Sequence, residues 1–438
     1  MSKKVTSFPN FAGIAATAFI GATLSGVPVW NAQADSFESW LNQPTMTGDW
    51  DGVRTTLAND GINFHAIYLG QVGTDTGGGK AQGTDYAQQV TLGADWDLQR
   101  LFNWQGAILH TYVEDRAGRP LSTDFTGSTI LDDGVFGSGE NFRLEELAYE
   151  QNLLNKRLNF LLGYYVLSSE FAYSPLLCGA NFLSNGFCGH PQFLGVDTGF
   201  QLGPVADWGG RIRVYPTPAL YVAVGAFEVN PTYLENNKGF DLNFDGATGA
   251  MVPVEIGYTT SFGPDKLVGH YKIGGIYDTS EVKDVEFNSQ RNGRYAGYLM
   301  VDQQVWRDSA DPQRNIAVFG EAGIADKRTA TEDSWLEAGF VYQGIIPSRP
   351  EDSLNFGYIH ATTNPRLLKG EDIILAKEGM SSFILEPDQQ LIEVGYNIAV
   401  AKWFSFTPDF QYFWNPGSTT FKHFDNAVIV GAQARIVF

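Results

Sequence analysis

The sequence predicts an all-β fold: a 16-stranded antiparallel transmembrane β-barrel with short periplasmic turns and long extracellular loops. Three observations predict it. First, aromatic residues make up 14% of the 438-residue chain and charged residues only 18%, with 49 glycines. Beyond the N-terminus no stretch is apolar enough for a membrane helix, so this mixture suits a wall facing lipid and water alternately. Second, segments of alternating polarity recur down to the last residue at the length a tilted membrane strand needs. Third, the connections between those segments alternate between longer and shorter. A soluble sandwich also alternates along its strands, but it has no reason to alternate its connections.

The elements follow in chain order. Lys3 and Lys4, an apolar stretch from Phe11 and then Ala32-Gln33-Ala34 have the order of a secretory signal peptide over 1–34. The alternative, a transmembrane anchor from Phe11 to Trp30, is interrupted by Gly and Pro. Residues 35–60 read as a periplasmic lead-in, with a short helix capped by Asp49, running through Asn59 and stopped by Gly61. The barrel then spans 61–438. Its first eight strands are expected at 61–72, 85–97, 104–115, 142–152, 157–166, 205–215, 218–229 and 250–261. The second eight fall at 267–279, 294–306, 314–326, 334–345, 351–362, 388–400, 402–414 and 427–438. Gaps such as 73–84, 116–141, 167–204 and 363–387 are long, whereas 98–103, 153–156, 216–217 and 346–350 are short.

Alternation is clearest near the end. Phe404, Phe406, Phe410, Tyr412 and Trp414 share one face, and Ser405, Thr407, Asp409 and Gln411 share the other. Ile392, Val394, Tyr396, Ile398 and Val400 likewise oppose Glu393 and Asn397. The third and fourth strands have less regular faces. An even number of strands closes without an edge and leaves an aqueous lumen. Phe438, ending an amphipathic strand, is the feature barrel-assembly machinery is expected to read. These features place the chain in the outer membrane of a Gram-negative bacterium.

The formal net charge is −20, and the leader carries Lys3 and Lys4 but no acid, so the mature chain is more acidic still. That excludes nucleic acid as a partner, since it requires a basic face. Only Cys178 and Cys188 occur, and in an oxidising compartment they read as a local disulfide.

Several segments, in order, resemble the OprB family of carbohydrate-selective porins. They are Thr47-Gly48-Asp49-Trp50-Asp51-Gly52-Val53-Arg54 with Leu57 and Gly61, then Phe142 to Leu147, then Trp208-Gly209-Gly210-Arg211 with Tyr215-Pro216. Asp302-Gln303-Gln304, Gly339 to Gly344, Arg349-Pro350 and Asp352 follow. Ile392-Glu393, Tyr396, Pro408-Asp409, Gln411-Tyr412, Asn415-Pro416 and Phe438 complete the order. Asp51 stands where a small residue is expected. The resemblance implies a passive channel preferring monosaccharides such as glucose, as a monomer or homotrimer, with no cofactor and no enzymatic activity. A general or differently selective diffusion porin is the alternative. An outer-membrane enzyme would need a Ser/His or Asp/His pair at the rim, and none can be placed.

Selecting a sugar without trapping it calls for weak contacts from carboxylates, guanidinium groups and aromatic faces. Glu114, Asp115, Arg116 and Arg119, at the end of the third strand, either set a transverse field across the eyelet or form a solvated, self-paired loop. Arg211 and Arg213 face the lumen if Ile212 and Val214 face lipid. On the lipid face at mid-depth each would cost about 2–4 kcal/mol. They contact sugar or pair with wall acids such as Glu146, Glu150 or Glu255. Trp208, by parity, faces lipid as a belt anchor. The loop 167–204, with Phe171, Tyr173, Phe182 and Phe187, either narrows the barrel or forms an outward lid. Asp241, Asn243, Asp245 and Gly246 match the first half of a calcium loop, but Val252 stands where a bidentate Glu is required. An Asx-rich loop is the other reading. His65, His110, His190, His270, His360 and His423 have no ligand spacing and read as lumen, wall or loop residues.

Overall fold

The computed structural model describes residues 34–136, 139–177, 181–377, 386–418 and 423–438. The leader, apart from Ala34, and Cys178 lie outside the described residues. Helix α1 (Ala34–Leu41), a 3₁₀ turn (Trp50–Gly52) and α2 (Val53–Asp60) precede the barrel. The strands are β1 (Ile62–Gly79), β2 (Gly83–Asp97), β3 (Ala107–Gly118), β4 (Asn141–Leu153), β5 (Leu158–Tyr165), β6 (Asp207–Thr217), β7 (Leu220–Val229) and β8 (Gly249–Phe262). They continue as β9 (Leu267–Lys283), β10 (Gln290–Arg307), β11 (Asn315–Ala325), β12 (Glu332–Gln343), β13 (Ser353–Thr363), β14 (Asp388–Ala401), β15 (Phe404–Trp414) and β16 (Asp425–Val437). Helices α3 (Leu98–Phe102), α4 (Phe193–Asp197) and α5 (Pro365–Lys377) lie in connections.

Each strand pairs antiparallel with its sequence neighbours, and β1 closes on β16 from Ile67↔Val437 to Gly79↔Asp425. The barrel therefore has sixteen strands and no free edge. Period-two patterning makes two unlike surfaces of one sheet. On β15, Thr407, Asp409 and Gln411 are buried inside, while Phe406 and Phe410 are exposed outside. Ile212, Ile256, Ile273, Leu299 and Ile324 continue the outward apolar band.

The irregular faces of the third and fourth strands come from a β-bulge. Tyr112 opposes Glu146 and Val113 opposes Leu144, so Glu145 is an extra residue that shifts the parity. Strand β3 starts later than expected because Gly106, at φ +74°, turns the chain after Trp104. The connections also depart from strict alternation. The β1–β2 and β9–β10 hairpins close over 80–82 and 284–289, since their ladders run on where long loops were expected, and β11–β12 closes over 326–331, close to the gap expected at 327–333. In the lead-in, Asp49 Oδ1 accepts from the backbone N–H of Thr55 at 2.8 Å, but Gly52, at φ +91°, splits the helix expected to run unbroken to Asn59. Gly61 stops it as expected, at φ +102°.

The lead-in packs on the barrel end that carries both Ala34 and Phe438. Trp40 lies 4.4 Å from Trp403 between centroids, and the Trp403 indole donates to the Trp40 carbonyl at 3.1 Å. The Met46 N–H donates to the Val437 carbonyl at 2.8 Å.

Candidate functional site

Two loops from the opposite end fold into the lumen. The connection 166–206 buries Phe171, Phe182, Phe187, Phe193 and Phe200 in one cluster with inward strand residues such as Phe227, Phe319, Trp335 and Ile359. Several of its backbone groups are held by wall side chains, as a buried loop requires. Ala172 N–H donates to Glu255 Oε2 at 2.8 Å, Gly199 N–H to Asp278 Oδ2 at 3.1 Å and Leu183 N–H to Glu393 Oε1 at 2.5 Å. The Leu183 carbonyl accepts from Gln71 Nε2 at 3.1 Å. The loop thus spans from β8 round to β1, and it is the inward constriction rather than the outward lid.

The connection 119–140 joins it from the side. Gln411 Nε2 donates to the Asp132 carbonyl at 3.0 Å, Gln192 Nε2 to the Thr129 carbonyl at 2.6 Å, and Asn185 N–H to the Leu131 carbonyl at 3.0 Å. Nothing in its sequence marks it as a plug. It has few aromatics, and its Gly, Ser, Thr and Asp residues resemble any surface loop.

Beside the constriction, the inner wall of β1 to β6 carries a connected run of acids and bases. Asp95 accepts from Tyr112 OH at 2.9 Å and contacts His65 Nε2 at 3.1 Å and His110 Nδ1 at 2.7 Å. His110 Nε2 meets Glu150 Oε2 at 3.1 Å, and Glu150 Oε1 accepts from Asn159 Nδ2. Asn159 Oδ1 accepts from Arg211, whose Nε donates to Glu170 Oε2 at 2.5 Å. Arg213 Nη2 donates to the Glu170 carbonyl at 2.9 Å, and its guanidinium lies 4.8 Å from the Tyr221 ring centroid. Asp95, Glu150 and Glu170 keep 29%, 21% and 19% of their side chains exposed, so water reaches this wall. By contrast Glu255, Glu337 and Glu393, on the far side, are sealed beneath the loops.

The expected residues separate on this map. Glu114 and Arg116 face inward as a buried pair, Nε to Oε1 at 2.6 Å, with Gln89 and Thr91 completing their hydrogen bonds. Arg116 Nη1 is left without a partner. Asp115 is a correction: it opposes Val90 and the exposed Phe142, which puts it on the outer face and not at an eyelet. Arg119 lies past the strand end, mostly exposed, with Nε 2.8 Å from Asp124 Oδ2, so it is self-paired within its loop. Arg211 and Arg213 face the lumen as expected. Their partner is Glu170 from the constriction loop, however, and not Glu146, Glu150 or Glu255. Trp208 faces outward as parity requires, but the loop 230–248 covers it, and its indole donates to the Leu242 carbonyl at 2.9 Å.

In that loop Asp241 pairs with Lys238, and the backbone N–H groups of Asn243 and Asp245 donate to Asp241 Oδ1 and Asn243 Oδ1 at 3.2 and 2.8 Å. These are Asx turns. Among the described residues no three His, Cys, Asp or Glu side chains converge as a metal site. The disulfide expected between Cys178 and Cys188 involves a residue outside the described ones.

Comparison with known proteins adds to this geometry. Residues 81–438 match the family model described as carbohydrate-selective porin, OprB family. The chain is 28% identical to Porin B of Pseudomonas aeruginosa over 426 residues, covering 91% of this chain and 92% of that protein. It superposes on the high-pH structure of Pseudomonas putida OprB with a TM-score of 0.85 at 28% identity, over 91% of this chain and 99% of that one. With the low-pH structure of the same protein the TM-score is 0.60 at 22% identity, over the same shares, a likeness of fold alone.

Proposed function

The chain belongs to the OprB family of carbohydrate-selective porins, and from that premise we propose that it passes monosaccharides such as glucose down their gradient across the outer membrane. This family and fold are channels rather than enzymes, and passive diffusion calls for no cofactor. In this reading residues 1–34 are the export leader, the end bearing Phe438 is periplasmic, and barrel-assembly machinery inserts the chain as a monomer or homotrimer.

One observation carries the sugar reading. Arg211 and Arg213, held by Glu170 of the constriction loop, sit on the same arc of inner wall as His65, Asp95 and Glu150, and His65, Asp95, Glu150 and Glu170 keep 47%, 29%, 21% and 19% of their side chains open to the lumen. Each sugar hydroxyl both donates and accepts. A wall alternating fixed donors and acceptors lets a sugar exchange its water shell for successive weak contacts. Because every guanidinium is already paired with a carboxylate, none offers a full charge that would trap the solute, and conduction depends on release as much as on capture.

Liposome swelling tests this. Glucose should enter faster than a non-sugar solute of similar size, with larger oligosaccharides excluded. Equal rates for every solute of one size would leave a barrel without the sugar preference.

A further inference from the structure

Strand β5 is the short plank of this barrel. It has 8 residues against 13 in β4. At about 3.3 Å per residue and a tilt near 40°, it rises about 20 Å, less than the apolar band of about 25 Å that such a wall presents to lipid. Its pairing with β4 stops at Glu146↔Tyr165, where the chain turns inward to form the constriction. The edge of β4 from Asn141 to Glu145 would therefore stand open at the depth of the outer leaflet. Unpaired backbone is not tolerated in hydrocarbon.

The loop 230–248, arriving from β7, closes this notch. The Leu144 N–H donates to the Gly239 carbonyl at 2.8 Å. A Cβ at Gly239 would collide with the Phe142 carbonyl, so only glycine lets the loop backbone lie against the strand. The loop then crosses the outer face of the wall. Leu242, Trp208 and Leu144 pack against the buried cluster that contains Tyr164 and Tyr233, which meet edge-on at 5.7 Å. Phe240 lies 5.2 Å from Phe142, and Phe244 lies 6.3 Å from Trp208. Phe142, Phe240 and Phe244 all remain more than half exposed. They continue upward the outward row of Leu162, Ile212 and Val214. At the lower margin of the same arc Trp104, Tyr149 and Phe160 form an aromatic row. The loop's aromatics stand where the upper girdle belongs.

We propose that the loop 230–248 is part of the lipid-contacting wall, with Phe240 and Phe244 seated in the outer-leaflet lipid above β5 and β6. This rests on the outer-membrane reading. The partner is lipid because the patch is continuous with the band that lipid already covers.

The test is photocross-linking of the full chain in phosphatidylcholine vesicles, with p-benzoylphenylalanine replacing Phe240 or Phe244 one at a time. The same group replacing Ile212, in the band below, is the control, and heat-modifiable gel migration checks that each variant has folded. The expected result is a lipid adduct by mass at 240 and 244, in yield comparable to that at 212. Lipid adducts at 212 but none at 240 and 244 would overturn the proposal and leave the loop in water. A covalent dimer through 240 or 244 would overturn it in favour of a contact between copies. No lipid adduct even at 212 would overturn the membrane reading, and the proposal with it.

Discussion

Glu170 holds Arg211 from a different element: the carboxylate belongs to the constriction loop and the guanidinium to β6, with Oε2 2.5 Å from Nε. The same carboxylate oxygen lies 3.3 Å from Arg213 Nη2. The loop begins its inward path at this point, so one acid couples the position of the constriction to two wall arginines. Replacing Glu170 by Gln leaves two guanidinium groups facing a neutral amide. Breaking a buried pair costs about 3–5 kcal/mol, and partial exposure of Glu170 puts this case at or below the lower end. The expected outcome is a lower thermal midpoint, a larger single-channel conductance in planar bilayers and a smaller preference for glucose. Unchanged conductance would show that the loop is held without this contact.

Glu114 and Arg116 make a second pair, more deeply buried. Arg116→Ala strands a carboxylate with almost no exposure, at a cost of about 3–5 kcal/mol. That variant confuses selectivity with folding. The double variant Glu114→Gln with Arg116→Met removes both charges at nearly constant volume and is expected to melt close to the parent. If the pair contacts solute, this stable double variant still loses the faster uptake of glucose over a similar-sized non-sugar in swelling assays. Retained preference would remove Arg116 from the path.

The sequence carried the wall well and its contents poorly, for a physical reason. A strand between lipid and water has every second residue constrained on each side, so β14 and β15, expected at 388–400 and 402–414, form at Asp388–Ala401 and Phe404–Trp414. One inserted residue defeats this logic. The bulge at Glu145 blurred β4, and parity alone would have excluded Asp115 from the lumen. The loops have no period to read. Their aromatics showed that 167–204 must pack against something, but the partners of Glu170, Asp132 and Leu183 are set by where the chain crosses the barrel. No local pattern records that.

His190 lies buried in the constriction loop, and burial lowers its pKa from 6.5 to about 4. A group whose folded pKa is depressed resists protonation in the folded state. Its contribution is complete above pH 6.5 and is lost as pH falls towards 4, amounting to roughly 3 kcal/mol in full. The constriction should therefore loosen on acidification through that window. Channel conductance at pH 7 and pH 4.5 reads this, and His190→Phe should flatten the part of the profile between 6.5 and 4. An identical profile in the variant would assign the pH response to other groups.

Chelation bears on the Asx-rich segment at Asp241, Asn243 and Asp245. Asp241 is held by Lys238, and the carbonyls of Leu242, Asn243 and Asp245 accept from Trp208, Tyr233 and Asn230. With these oxygens already engaged, dialysis against a chelator is expected to leave the melting temperature unchanged. A clear fall, restored by calcium, would show that the segment rearranges to bind the ion.

Arg54 ties the lead-in to the far end of the chain, with Nη2 2.7 Å from the Phe438 carbonyl and Nη1 2.8 Å from Thr45 Oγ1. Its guanidinium also lies 4.9 Å from the Trp50 ring centroid. The lead-in adds no strand to the sheet, so its docking depends on such contacts and on Trp40 against Trp403. A part-buried, charge-assisted hydrogen bond contributes about 1 kcal/mol after exposure is discounted. Arg54→Ala is therefore expected to leave the barrel's melting nearly unchanged while freeing the lead-in locally, because a weakly held segment opens independently of the core. Limited proteolysis should cut the variant sooner within 35–60, leaving the strands from Ile62 onward intact. Arg54→Lys should be intermediate, since an ammonium cannot span both acceptors as the planar fork does. Cleavage at the parental rate in Arg54→Ala would mean that the Trp40–Trp403 and Met46–Val437 contacts hold the lead-in without Arg54.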